Sequence, residues 1–164
     1  MTISSSPNGS RLPSTGDILM GAGGFLLFVD SFWNWERLCV TIVRVAPICV
    51  PYWTAWSGRG ALVGAGMAVA SGLLFGWQTM RLASRRVELP AVLANAVRAD
   101  EARNGWTIAL GLAALTVALG GVKIAAVLAD HTWYGSYVGF VVLAVITLGG
   151  AMRLMATRMR RRAT

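Results

Sequence analysis

Three apolar stretches, Ala61 to Met80, Trp106 to Leu128 and Gly135 to Ala156, limit what this chain can become. A helix rising about 1.5 Å per residue needs roughly 20 such residues to cross ~30 Å of hydrocarbon, and each stretch approaches or exceeds that length. A fourth, Ile18 to Trp33, is shorter and contains Asp30, but Asp17 and the Trp33-Asn34-Trp35 run give it membrane-like ends. With 55% hydrophobic and only 13% charged residues, the chain is too apolar for an ordinary soluble domain of 164 residues. The expected fold is an all-α membrane protein with four transmembrane helices and both termini cytoplasmic. The spans fall at about 18–33, 61–80, 106–128 and 135–156, within a transmembrane domain of 17–156. Residues 1–16 and 157–164 are a flexible and a basic cytoplasmic tail, 34–60 an outer loop, and 81–105 an inner amphipathic loop.

The excess of 15 Lys and Arg over 7 Asp and Glu does not indicate nucleic acid, because apolar runs separate the charges instead of leaving one basic face on a soluble module. It indicates orientation. Basic residues near span ends stay on the cytoplasmic side. With both termini inside, that side holds Arg11, Arg81, Arg85, Arg86, Arg98, Arg103, Arg153, Arg158, Arg160, Arg161 and Arg162. The outer segments hold only Arg37, Arg44 and Arg59, with Lys123 inside a span. Trp and Tyr prefer headgroup level, and they cluster at the ends of the spans: Trp77 and Trp106 inside, and Trp33, Trp35, Tyr52, Trp53, Trp56, Trp133, Tyr134 and Tyr137 outside.

The middle of the outer loop, Val40 to Val50, is rich in β-branched residues and too short to span, so it reads as a short hairpin or an interfacial segment. Cys39 and Cys49 lie in it, on a side where the environment can be oxidising; they form a disulfide or remain two buried thiols. In the inner loop, Pro90 marks a helix start, and Leu89, Val92, Leu93, Ala96 and Val97 follow at helical spacing. Arg81, Arg85, Arg86, Arg98 and Arg103 surround this stripe and suit anionic lipid or a cytoplasmic partner.

Gly60, Gly64, Ala68, Gly72 and Gly76 recur at every fourth position, a stripe along which a neighbouring backbone can approach closely, within the chain or in a second copy. Asp30 and Lys123 are the two ionisable residues expected within hydrocarbon. Charge there is costly enough to require a pair, a snorkelling route or a function. Their depths differ by about one helical turn, so an Asp30–Lys123 pair linking spans one and three is one expectation. The other has Lys123 snorkelling toward Asp130 while Asp30 meets headgroup water.

Chemistry-bearing motifs are sparse. His131 is the only histidine, and two cysteines with it do not make a metal site. No G-x-S-x-G elbow occurs, and the Gly58-Arg59-Gly60 and Gly64-Ala65-Gly66 runs follow no strand of a dinucleotide fold. No cofactor, metal or catalytic residue is expected.

The run from Gly21 to Trp35 (GAGGFLLFVDSFWNW), with Ala55-Trp56-Ser57-Gly58 leading into a glycine-rich second span, resembles small four-span membrane proteins widespread in actinobacteria. The resemblance implies a location in the cell membrane and carries over no activity. The functional expectation is a non-enzymatic accessory or scaffold subunit contacting another membrane protein or a second copy. The alternative is a small oligomeric transporter or channel using Asp30.

Overall fold

The computed structural model describes residues 14–40, 47–84, 87–102, 107–128 and 132–162. In chain order these form α1 (Thr15–Asp30), β1 (Asn34–Val40), β2 (Ile48–Thr54), α2 (Ala61–Ala83), α3 (Ala91–Ala102), α4 (Thr107–Val127) and α5 (Tyr134–Arg162). Three helical stretches, Ala61–Ala83, Thr107–Val127 and Tyr134–Met159, are long and apolar enough to cross a membrane. At 16 residues α1 is about 24 Å long and falls short of that length.

Helices α1, α2, α4 and α5 pack in a closed ring, α1 between α2 and α5 and α4 on their far side. Successive members run in opposite directions. Near one end, Gly16 of α1 lies against Gly149 of α5; toward the other, Gly24 lies against Ser71 of α2 and Asp30 against Gly139 of α5. Met20, Leu27, Met67, Leu74, Trp77, Ala113 and Ile146 fill the interior. Leu62, Leu73, Leu115, Val122, Phe140, Val141 and Leu148 point outward and are exposed. Large aliphatic residues on the outside of the ring are unfavourable in water and suited to acyl chains.

Helix α1 begins where its sequence supplies a cap. Ser14 Oγ accepts the Asp17 backbone N–H at 3.2 Å, and Asp17 Oδ2 accepts back from Ser14, so first-turn amides that lack intrahelical partners are satisfied. Ser14, Thr15 and Gly16, placed by the sequence in the flexible tail, therefore belong to the helix and its cap; residues 1–13 lie outside the described set. At the other end of the chain, α5 runs on through 157–162, where a separate basic tail was expected.

The all-α expectation fails at the outer loop, where β1 and β2 form an antiparallel pair with Leu38 opposite Val50, Cys39 opposite Cys49 and Val40 opposite Ile48. Val40, Ile48, Val50, Tyr52, Trp53 and Thr54 are β-branched or aromatic types that suit a pleated ribbon, and of the two readings of this loop the hairpin is the one adopted. The turn between the strands, 41–46 and thus Arg44, lies outside the described residues.

The small-residue stripe of α2 is divided among different neighbours. A Cβ at Gly64 would overlap the carbonyl oxygen of Ala55, a Cβ at Gly72 would come within 3.2 Å of the Phe28 ring, Ala68 is fully buried, and Gly76 meets nothing within 4 Å. Gly60, at the N-cap, faces Ala126 and Lys123 of α4. Gly64→Ala should therefore cost about 1–3 kcal/mol, since a backbone carbonyl cannot rotate away as a side chain can. Gly76→Ala should stay within about 0.5 kcal/mol of the parent, and unfolding in mixed detergent micelles measures both.

Candidate functional site

A fully buried set of polar groups lies at the hairpin end of the ring. Lys123, near the end of α4, is fully buried, and its ammonium donates to Glu36 Oε1 at 2.7 Å, to the Ser57 carbonyl at 3.2 Å and to the Arg59 carbonyl. All three ammonium protons have acceptors. The second carboxylate oxygen of Glu36 accepts the Arg59 backbone N–H at 3.1 Å, and Glu36 is also fully buried.

The turn before α2 is shaped around this pair. Gly58 has φ +72°, a left-handed conformation that suits glycine, and a Cβ there would stand within 2.6–2.8 Å of the Glu36 carboxyl group. Desolvating two charges costs several kcal/mol per ion, and attraction offsets this only when the remaining donors and acceptors are satisfied. Here they are, so the pair works as a clamp joining β1, the 57–60 turn and α4.

Lys123 therefore pairs with Glu36 and not with Asp30, one of its two expected partners; the other, Asp130, lies outside the described residues. The reason is the path of the loop: the chain folds back after α1 and carries Glu36 into the mouth of the ring. Asp30 is buried as well, but neither of its carboxyl oxygens has a hydrogen-bond partner among the described residues. Its backbone carbonyl accepts the Trp35 indole N–H at 3.1 Å. Trp35, expected at headgroup level, is fully buried, with its ring in the space left by Gly135 and Gly139 of α5. The Trp35 carbonyl accepts from Trp133 N at 2.9 Å, tying the hairpin base to the start of α5.

Beyond this base the hairpin projects. A disulfide joins Cys39 and Cys49, closing the ribbon near its tip. On the opposite face, Leu38, Val40, Ile48 and Val50 are 36–54% exposed, forming a small aliphatic surface with Tyr52 beyond it. Trp33, Tyr134 and Tyr137 are also exposed at this end.

The inner loop forms the expected helix, α3, but its apolar stripe is split. Leu89, Ala96 and Val97 pack toward the core, whereas Val92 and Leu93 face outward. Buried Asp100 accepts the Ile108 backbone N–H at 3.3 Å, satisfying an amide at the start of α4. Of the basic residues singled out around this loop, Arg98 is exposed and bonded to Asn95, whereas Arg81 reaches toward Asp17 of α1. Arg85, Arg86 and Arg103 lie outside the described residues, as do Trp106 and His131.

Sequence reasoning passed over Glu36, Trp35 and Asp17 as partners. Glu36 had a readable signal: it is the only acidic residue between Asn34 and Gly60, beside a span containing a lysine. Trp35 had none beyond being one of several outer aromatics. Among the described residues no three His, Cys, Asp or Glu side chains converge as a metal site would require. No protein-family model, no curated protein and no solved structure matches this chain.

Proposed function

We propose that this protein is a non-enzymatic accessory or scaffold subunit of the cell membrane, crossing it four times with both termini in the cytoplasm and presenting the β1–β2 hairpin outside. That α1 crosses as well is supported by its antiparallel packing against α2 and α5 from Asp17 to Asp30, alongside their apolar stretches. The orientation is supported by the arginine bias of the sequence and by the Cys39–Cys49 disulfide, which belongs in an oxidising compartment.

The observation that carries the functional reading is the hairpin itself. A two-stranded ribbon is marginal alone, yet this one is held at its base by the Glu36–Lys123 clamp and near its tip by a disulfide, with an aliphatic face turned outward. A rigid, exposed apolar face is the form of a protein contact site. Purification in mild detergent should return a stable assembly larger than the single chain. Leu38→Asp with Val50→Asp should dissolve that assembly while leaving the helical signal intact; an assembly indifferent to both changes would remove the hairpin from the account.

A second reading rests on Asp30, whose buried carboxyl group lacks a hydrogen-bond partner among the described residues, as a carboxyl that binds and releases a transported ion can. Proton-coupled flux in proteoliposomes, abolished by Asp30→Asn, would favour a small transporter over the accessory role.

A further inference from the structure

Asp30 is 2% exposed, and both of its carboxyl oxygens are shielded from solvent without a hydrogen-bond partner among the described residues. The donors at this end of the ring are engaged elsewhere. Ser31 Oγ donates to the Phe28 carbonyl at 2.6 Å, Ser136 Oγ to the Trp133 carbonyl at 2.7 Å, and the Lys123 ammonium to Glu36, Ser57 and Arg59. An unpaired carboxyl in a dry site costs free energy in either protonation state, and water supplies its missing hydrogen bonds only if a covering group moves.

The Trp35 indole covers this carboxyl on the hairpin side. Its pyrrole edge lies against Gly135, in the first turn of α5, and its far edge reaches one turn deeper, to Gly139. A Cβ at Gly139 would stand 2.5 Å from that far edge and 3.2 Å from Asp30 Oδ2, so ring and carboxyl share one slot on α5. The indole N–H donates to the Asp30 carbonyl at 3.1 Å. Toward the opposite end, the interior is closed by fully buried Leu27, Met67 and Ile146. The way from Asp30 to water therefore leads past Trp35.

Trp35 does not move alone. It precedes Glu36, whose clamp to Lys123 holds this part of β1, and its carbonyl accepts the Trp133 N–H at 2.9 Å. We infer that the Trp35 indole is the gate between Asp30 and outer water: as β1 shifts, the ring leaves the Gly135–Gly139 slot, and the carboxyl becomes hydrated and exchanges its proton. This deepens the transporter reading and rests on it only for Asp30 being a working carboxyl.

The test uses the full chain in right-side-out and inverted membrane vesicles, with a quaternary-ammonium carbodiimide that does not cross lipid added outside. Mass spectrometry of the digested protein locates the labelled carboxyls. Exposed Glu88, just before α3, reports that the probe has reached the arginine-rich end. In the parent, Asp30 should label slowly, and only in the vesicles whose Glu88 is protected. Trp35→Phe, whose shorter ring stops short of Gly139, should speed that labelling about tenfold, the factor that goes with one lost hydrogen bond. Asp100, buried at the other end of the ring where it accepts the Ile108 N–H, should label at an unchanged rate.

An unaltered Asp30 rate in Trp35→Phe, or labelling of Asp30 from the Glu88 side, overturns the inference. A parallel rise at Asp100 also overturns it, because it reports general loosening, as does a parent whose Asp30 stays unlabelled from both sides. If Trp35→Phe does not fold, the sidedness of the parent decides. Labelling reads access and not flux, so absence of proton-coupled flux would defeat transport and leave the gate standing. Glu88 labelled alike in both vesicle preparations would defeat the proposed orientation, and the outer gate with it.

Discussion

Lys123→Met should destabilise the protein by about 3–5 kcal/mol, because it leaves the Glu36 carboxylate buried with no counter-charge. It also removes the donor from the Ser57 and Arg59 carbonyls, releasing the turn that leads into α2. The compensating change is Glu36→Gln, which deletes the charge yet keeps an oxygen to accept the Arg59 N–H. The double variant should recover more than half of the loss, since replacing both members of a buried pair by neutral groups of similar volume is far less costly than breaking it. Unfolding in mixed micelles, run as a double-mutant cycle, provides the measurement. The same cycle with Asp30→Asn in place of Glu36→Gln should be additive. Coupling between Asp30 and Lys123, with none between Glu36 and Lys123, would refute the clamp.

Trp35→Ala should cost a similar amount, about 3–5 kcal/mol, because the indole is fully buried and its removal leaves a cavity between the hairpin base and α5. The site cannot easily collapse. A Cβ at Gly139 would already lie 2.5 Å from the ring, so backbone, with no side chain to move in, forms that wall. Trp35→Phe should cost less, retaining most of the packing while losing the indole donation to the Asp30 carbonyl. Hydrogen exchange separates local from global effects: with Ala at 35, amides of β1 and β2 should lose protection before those of α2 and α4. Loss confined to the helices would contradict the role of Trp35 as the hairpin's anchor.

The three long helices were legible because crossing hydrocarbon is a demand on local composition. Each requires a run of about 20 apolar residues and little else, and Ala61–Ala83, Thr107–Val127 and Tyr134–Met159 lie where those runs do. Helix α3 was legible for a related reason, Pro90 followed by apolar positions at helical spacing, although the spacing did not say that Val92 and Leu93 would face outward while Val97 turned in. The stripe on α2 shows the limit of periodicity. Five small residues at equal intervals look equivalent, yet Gly64 meets a loop carbonyl, Gly72 a phenylalanine of α1, and Gly76 open space.

The partner of Lys123 was not legible by depth. Placing residues along ideal spans keeps the hairpin residues away from Lys123, which left Asp30 and Asp130 as the acids weighed for it and Glu36 unconsidered. The chain instead turns at Ser31 to Trp33, seats Trp35 against two glycines of α5, and so delivers Glu36 to the lysine.

What the sequence alone determined is where three helices long and apolar enough to cross a membrane lie and how the arginines are distributed between them, because both depend on local composition and not on which neighbour each residue meets. Only the tertiary structure decided that Glu36 neutralises Lys123, that Cys39 faces Cys49, and that Asp17 is held between two arginines. Those are contacts between segments as far as 136 positions apart in sequence, and the path of the loops sets them.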